Sequence, residues 1–403
     1  MYKKISHIFI FIICLSFSTL NLAAEKGSKK DETPPDFELG VQAYKKDDFA
    51  TALMLWFPLA ESGDAEAQYR VGNMYLEQKG QRKDPTEAAY WIEKAAKQDH
   101  AKAQLLLGQM YLKGVGVKRS FQQSAGWLLK SARAKNAEAQ YIVGKLYYFG
   151  DGVAKSPAKA AYWYKQAAKQ DHLEAQNKLA LMYLEGDGIA RKPASAKKWF
   201  EKAANAGSAS AQINLAKLYM GGDTDKKNKN KAFSSSNLVK QDPVKAFMWY
   251  QKAAIQNNPE AQNKLGLMLS NGIGTEKDIK KAHEWFEKAA KQGHVDANYN
   301  MGRIYVNGYG VAKSFEKGVA YFHKAAEKGH GEAQMDLGVA YYTGNGVPPD
   351  SIIAYAWFYV AAASNAKDAR KTKNALYSKL AVEDKKKAIT LATEYKKKYF
   401  ARP

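Results

Sequence analysis

Apolar and small residues recur along much of the chain at intervals of three and four positions, the spacing found along one face of an α-helix. Residues 139–147 and residues 160–168 both follow this spacing, and a short stretch containing Gly150 and Gly152 separates them. Because glycine adopts turn conformations that other residues avoid, this stretch is suited to reversing the chain. The pattern predicts two helices joined by a tight turn.

The predicted helix pair is repeated along the chain. One position of the first helix holds an amide side chain in every copy, namely Gln68, Gln104, Gln140, Gln176, Gln212, Gln262, Asn298 and Gln334. The steps are 36 residues long except for one step of 50, which contains a 14-residue insertion. A lone helix pair cannot bury its apolar face, so successive pairs must stack. The chain is therefore predicted to be all-α, a solenoid of about eight 36-residue helix-turn-helix units plus capping helices.

Large aromatic residues are predicted to fill the space between these helices. Most of the second helices end in a pair of alanines, which lets neighbouring helices approach closely. A large aromatic residue stands four positions before the pair, at Trp91, Trp163, Trp199, Trp249, Trp285 and Tyr321. We expect these residues to be buried in the core.

The repeated residues resemble the Sel-one-like repeat family, a longer relative of the tetratricopeptide repeat. The family pattern of Leu-Gly-x-x-Tyr, Gly-x-Gly-Val and Trp-Tyr-x-Lys-Ala-Ala is nearly complete in residues 143–168 and is close in residues 107–117, 265–290 and 301–326. The resemblance covers residues 65–363. It implies a right-handed superhelical solenoid and a role as an adaptor between proteins.

The repeats leave segments at both ends of the chain. Residues 37–64 resemble a degenerate first repeat, the repeats follow over 65–363, and the basic insertion is expected to be a loop within 223–242. Residues 364–403 are predicted to form a basic helical cap, because the end of a solenoid needs a polar cover. Residues 25–36 are expected to be a flexible lead-in.

Residues 1–24 have the features of a secretion signal. Lys3 and Lys4 precede an apolar stretch, and Ala23 and Ala24 offer small residues for cleavage near Ala24. An uncleaved anchor is the alternative, but the stretch contains several polar residues whereas a membrane span needs ~20 mostly apolar ones. The only cysteine, Cys14, lies in this segment, so the mature chain would depend on packing for stability. We expect a bacterial protein that is periplasmic or secreted.

Candidate catalytic and metal-binding chemistry is scarce. Four histidines share one position of the repeat, but equivalent residues of adjacent repeats lie about 10 Å apart, too far to share a zinc ion; they are His100, His172, His294 and His330. We interpret them as turn residues. The sequence lacks nucleophile-elbow and His-Glu-x-x-His motifs, and its glycine turns join helix to helix rather than strand to helix. The prediction is no enzyme, no cofactor and no bound metal.

A groove on the first helices is the main candidate for function. If these helices line the concave side, as in the tetratricopeptide fold, positions at helical spacing after the amide residue point into the groove. In four repeats these positions hold aromatic, aliphatic and basic residues, namely Tyr69, Asn73, Tyr141, Lys145, Tyr148, Ile213, Lys217, Tyr299 and Arg303. Such a surface suits proteins or peptides with acidic and apolar side chains. The alternative is that the aromatic residues only pack between repeats while the cations are solvated.

The net charge of +22 favours anionic partners. Residues 367–403 alone hold 12 basic and 4 acidic residues, and two lysine triplets, 385–387 and 396–398, suit an anionic membrane surface. No nucleic-acid recognition motif is present.

The leading prediction is an exported, non-enzymatic scaffold or adaptor that binds proteins, in envelope processes or in host-cell contact. The alternatives are peripheral binding to anionic lipid, and a cell-wall or β-lactam hydrolase, an activity of cysteine-rich relatives that the missing mature cysteines disfavour. The oligomeric state is left open.

Overall fold

A computed structural model describes residues 35–221 and 240–400. The predicted signal, most of the lead-in and most of the insertion lie outside these residues. The described ranges contain 20 helices and no strand, and the helices are α1 Pro35–Lys45, α2 Phe49–Ser62, α3 Ala65–Glu77, α4 Pro85–Lys97, α5 Ala101–Lys113, α6 Phe121–Arg133, α7 Ala137–Phe149, α8 Pro157–Lys169, α9 Leu173–Glu185, α10 Pro193–Asn205, α11 Ala209–Tyr219, α12 Pro243–Ile255, α13 Pro259–Asn271, α14 Ile279–Lys291, α15 Val295–Asn307, α16 Phe315–Ala326, α17 Gly331–Thr343, α18 Ser351–Ala363, α19 Ala369–Lys379 and α20 Val382–Tyr399.

The helices form two units, one ending at Trp91 and the other beginning at Ile92. In the first unit, α1 packs against α2 and α2 packs against α3. The side chain of Trp56 is completely buried, and its indole N–H donates a hydrogen bond of 3.1 Å to the carbonyl oxygen of Phe37. The guanidinium of Arg70 lies 5.1 Å from the centre of the Trp56 ring. This unit therefore has a compact core of its own.

The second unit consists of stacked helix pairs. Helices α5 and α6 form the first pair, and the pattern continues through α17 and α18, with the second helix of each pair packed against the first helix of the next. The predicted all-α fold of stacked helix-turn-helix repeats is confirmed.

In several helix pairs, a glycine of the first helix faces an aromatic ring of the second. A Cβ atom added to Gly144 on α7 would lie 2.6 Å from the Tyr164 ring on α8, so only glycine leaves room for that ring. The same arrangement recurs between Gly266 of α13 and Phe286 of α14. The glycine of the Leu-Gly motif therefore sets how closely the two helices of a repeat approach.

The buried aromatic residue of the second helix stands one position later than predicted. Tyr164 is 2% exposed, and its equivalents Phe200, Phe286 and Phe322 are buried as well. The expectation holds for Trp91 and Trp249, but it is wrong for four residues that are only partly buried, namely Trp163, Trp199, Trp285 and Tyr321. Neighbouring residues on a helix point about 100° apart. Only the later of the two faces the first helix of the pair, as Tyr164 faces Gly144.

The last two helices cover the end of the final repeat. Both α19 and α20 pack against α18. Trp357 of α18 is 1% exposed, because its ring stacks on Tyr399 at 5.2 Å and meets Tyr395 edge-on at 4.9 Å. Within the part of the chain that the structure describes, no helix has the length and apolar character needed to cross a membrane.

Candidate interaction surface

Helix α7 carries three of the predicted groove residues on one face. Tyr141 and Tyr148 are partly buried, whereas Lys145 is exposed. The Lys145 ammonium lies 5.8 Å from the centre of the Tyr141 ring, so the cation stands beside an aromatic face. Among the residues that the structure describes, no carboxylate forms an ion pair with Lys145. An aromatic surface with an available cation is therefore present here.

Tyr141 also joins its repeat to the next one. Its ring stacks on the imidazole of His172 with a distance of 4.6 Å between ring centres, and it lies 5.9 Å from the ring of Tyr164. Burial, together with the negative charges of Glu174 and Glu138, raises the pKa of the Tyr141 hydroxyl. Tyr141 therefore packs between repeats and also borders the surface next to Lys145. This position combines the two alternatives that the sequence left open.

The same arrangement recurs four repeats later on α15. Tyr299 stacks on His330 at 4.3 Å and lies 5.8 Å from Phe322, and the Arg303 guanidinium is 5.9 Å from the centre of the Tyr299 ring. Burial raises the pKa of Tyr299 to about 12, with Asp336 acting in the same direction. The side chain of Arg303 is exposed. We call Tyr141, Lys145, Tyr148, Tyr299 and Arg303 the first-helix surface.

Helix α11 departs from this arrangement. Ile213 is 4% exposed and belongs to the core, so this residue does not line an open surface as predicted. The Lys217 ammonium lies 2.7 Å from a carboxylate oxygen of Glu260 at the start of α13. Because the charge of Lys217 is balanced inside the protein, this lysine is a weaker candidate than Lys145.

In the first unit, the two predicted groove residues lie on α3. Both side chains are partly buried. The Asn73 side-chain amide donates a hydrogen bond of 2.9 Å to the carbonyl oxygen of Tyr69. Asn73 therefore already has a partner within its own helix.

The sequence interpretation missed Asp336 on α17. Burial raises the pKa of this carboxyl to about 6, while the nearby Arg303 charge acts in the opposite direction. The equivalent position is lysine at 178 and asparagine at 214 and 300. A comparison of the repeats position by position would have singled out Asp336 as the acidic exception.

The four phase-equivalent histidines are helix N-caps rather than simple turn residues. In each, the ring Nδ1 accepts a hydrogen bond of 3.1–3.3 Å from the backbone N–H three residues later, at His100, His172, His294 and His330. The other repeats of this series use Asp64, Asn136, Ser208 and Asn258 for the same purpose. Imidazole nitrogen thus replaces the usual side-chain oxygen cap. Residues 35–221 and 240–400 hold no group of three or more His, Cys, Asp or Glu placed to bind a metal ion.

The stacked helix pairs define a helical repeat protein of the tetratricopeptide-like class. The model of the Sel1 repeat family matches nine segments, which together run from residue 65 to residue 365. The chain belongs to the Sel1 repeat family, as the sequence motifs indicated. Nine matches replace the eight predicted units because residues 209–234 and 235–258, which meet within the 223–242 segment, match separately. Sel1 and tetratricopeptide-like repeats generally mediate protein–protein interactions and form a non-catalytic scaffold fold.

Solved structures of similar proteins come from several bacteria. A Sel1 repeat protein from Oxalobacter formigenes is 26% identical, with a TM-score of 0.61, and the match covers 88% of this chain and 97% of that one. A protective antigen present in uropathogenic Escherichia coli strains, displaying an SLR fold, is 30% identical, with a TM-score of 0.48 and coverage of 90% and 84%. A putative Sel1 repeat protein from Klebsiella pneumoniae is 19% identical, with a TM-score of 0.34 and coverage of 54% and 98%. Among curated proteins, none matches this chain.

Proposed function

We propose that this protein is an exported, non-enzymatic scaffold that binds a protein partner through the first-helix surface. The observation that carries the proposal is the exposed cation beside a partly buried tyrosine, which occurs at Lys145 and Tyr141 and again at Arg303 and Tyr299. Tyrosine and arginine are enriched where proteins bind one another, and tyrosine gives contact area with little loss of side-chain entropy. The repetition of this pair suits an extended partner that contacts more than one repeat.

The proposed partner is a peptide or protein segment with acidic and apolar side chains. A carboxylate of the partner would face Lys145 or Arg303, and apolar groups would cover Tyr141 and Tyr148. Lys217 contributes less, because Glu260 already neutralises it. The proposal places two contact points four repeats apart rather than a continuous basic groove.

Export is the second part of the proposal. It rests on Lys3, Lys4 and the apolar stretch that ends near Ala24, since these features are typical of a cleaved signal. The partner would then be a protein of the bacterial envelope or of a host-cell surface. Intact-mass measurement of the protein from its native cell tests this step. A mass that begins near Glu25 supports export with cleavage, and a mass that includes Met1 contradicts cleavage and favours the uncleaved anchor instead.

Binding can be tested with a panel of fluorescent peptides in which acidic, neutral and basic residues alternate with aromatic or aliphatic ones. Charge reversal by Lys145→Glu with Arg303→Glu should weaken binding of the acidic-apolar peptides by at least about tenfold, because losing one member of a desolvated charge pair is costly. The matched control, Lys165→Glu with Lys169→Glu, makes the same change on exposed positions of α8 and should leave binding unchanged. Equal losses in the two double variants, or a preference for basic peptides, would contradict the proposal.

Vesicles containing phosphatidylglycerol test the membrane alternative. Part of the C-terminal positive charge already faces the protein, since the Lys396 and Lys398 ammonium groups lie 6.0 Å from the ring of Tyr359 and 4.9 Å from that of Tyr399. We expect little vesicle binding. Two results together would favour a peripheral membrane protein over a scaffold. The first is strong, salt-sensitive vesicle binding that disappears when the six lysines of 385–387 and 396–398 become glutamine. The second is peptide binding that the Lys145 and Arg303 changes do not affect.

A further inference from the structure

The histidine N-caps require one particular protonation state of the ring. At His172, the Nδ1 atom accepts a hydrogen bond of 3.2 Å from the backbone N–H of Ala175, so Nδ1 holds no proton. The other ring nitrogen, Nε2, lies 2.9 Å from a carboxylate oxygen of Glu138 on α7. A carboxylate only accepts hydrogen bonds, so Nε2 carries the proton and donates. The neutral ring thus caps α9 through one nitrogen and holds the preceding repeat through the other.

The ring also contacts charged and aromatic groups of neighbouring helices. Tyr141 of α7 stacks on it at 4.6 Å, and Glu138 of α7 and Glu174 of α9 supply negative charge around this stack. In the turn before α9, the carboxylate of Asp171 is engaged by Lys202 of α10 at 2.7 Å. Glu138 is therefore the carboxylate that accepts the hydrogen bond from the Nε2–H group.

A second proton on the ring would change which of its two contacts survives. A doubly protonated imidazole cannot accept a hydrogen bond, and its positive charge at a helix N-terminus opposes the helix dipole. The contact with Glu138, in contrast, becomes a charge-assisted hydrogen bond. Proton uptake therefore exchanges the cap of α9 for an ion pair to α7.

We propose that the histidine caps make the joints between successive repeats sensitive to proton concentration, with mildly acidic pH releasing the first turn of the capped helix while the histidine stays attached to the repeat before it. The proposal does not depend on the identity of a partner. It places the moving turn next to Tyr141, so protonation would alter one edge of the first-helix surface.

Three further joints carry a histidine cap, and at two of them the surroundings of the ring differ from those of His172. His330 stacks on Tyr299, and its nitrogens lie 3.7 Å from Asp296 of α15 and from Glu332 of α17.

His294 has a partly buried cap, and burial lowers the pKa of its ring. Asp296 and Glu260 act in the opposite direction, whereas Lys264 and Lys328 reinforce the lowering. A histidine with a lowered pKa in the folded state contributes stability above its unfolded pKa of about 6.5, and that stability is lost as the pH falls. The His294 joint should therefore weaken as the pH falls, as the His172 joint does.

Hydrogen exchange at single backbone amides tests the His172 joint in the full chain. We expect the protection factor of the Ala175 amide to fall by about fivefold between neutral and mildly acidic pH, the size of effect that a lost cap produces. The Ala139 amide is the internal control, because Asn136 caps α7 and does not titrate in this range. His172→Asn keeps a side-chain cap and should remove the pH dependence at Ala175.

The Glu138→Gln variant distinguishes protonation of His172 from a loss of stability of the whole protein at low pH. Without the carboxylate, the charged ring loses its ion pair, so the loss of Ala175 protection should move to lower pH. An Ala175 protection factor that does not change with pH in the wild type, or that falls equally in His172→Asn, would overturn the proposal. So would a Glu138→Gln variant in which the pH of the loss is unchanged.

Discussion

At the scale of single residues, two glycines on successive helices stand in opposite surroundings. A Cβ atom added to Gly126 on α6 meets nothing within 4 Å, whereas one added to Gly144 on α7 meets the Tyr164 ring. Gly126→Ala should therefore raise the free energy of unfolding by about 1 kcal/mol through helix propensity alone. Gly144→Ala should lower it, because the Tyr164 ring must shift. Urea titrations of the two variants give the signs, and a gain in stability for Gly144→Ala would contradict the ring contact.

Asp336 is predicted to limit stability near neutral pH. Its pKa in the folded protein is raised to about 6, so the folded state binds a proton more readily than the unfolded chain does. The ionised carboxylate is therefore unfavourable above about pH 6, and this penalty fades as the pH falls. Asp336→Asn should raise the free energy of unfolding by about 1–2 kcal/mol at pH 7.5 and by much less at pH 4.5. A gain that is the same at both pH values would show that burial of the charge is not its cause.

At the scale of elements, buried glutamines link each repeat to its neighbour. In most repeats the side-chain N–H of the buried amide residue donates to a carbonyl oxygen eight residues earlier, as Gln140 does to Ala132 at 3.0 Å. The free oxygen of Gln140 then accepts a hydrogen bond of 2.8 Å from Gln170, at the end of the following second helix. Gln256 and Gln292 repeat this contact. The period of 36 residues thus carries a polar contact as well as an apolar one.

At Gln176 the series lacks its second hydrogen bond. The Oε1 atom of Gln176 is buried and has no hydrogen-bond partner among the described residues, because the donor position holds Ala206. Ala206→Gln places an amide side chain at this position. The backbone of Ala206 at the end of its helix has a conformation similar to that of Gln256, which makes the contact in another repeat. The change should raise the free energy of unfolding by about 1 kcal/mol. In a Gln176→Leu background the gain should vanish, and a gain that persists would mean that it comes from elsewhere.

At the scale of the whole molecule, periodicity carried most of the sequence prediction. Spacings of three, four and 36 residues were enough for the helices and their stacking, because one repeat cannot bury its face alone. In four of the six pairs with a predicted aromatic residue, the side chain that fills the pair stands one residue later than the sequence predicts. Trp163 and Tyr164, for example, are both large, and only the position of Gly144 in space distinguishes them. The burial of Ile213 and the pairing of Lys217 with Glu260 depend on the next helix, which spacing within one repeat does not describe. The caps at the four histidines were visible as a shared position, but their hydrogen bonds were not.

The most direct test of the central claim asks which face of the protein a partner contacts. A photo-crosslinking phenylalanine derivative replaces Tyr148 on the first-helix surface or, in a matched variant, Tyr162 on α8, which is 56% exposed. Both variants are illuminated in the native cell, and the products are identified by mass spectrometry. Our account predicts a discrete protein adduct at position 148 that is lost when Lys145→Glu and Arg303→Glu are added, and no such adduct at position 162. The same protein adduct at position 162, with none at position 148, would contradict it.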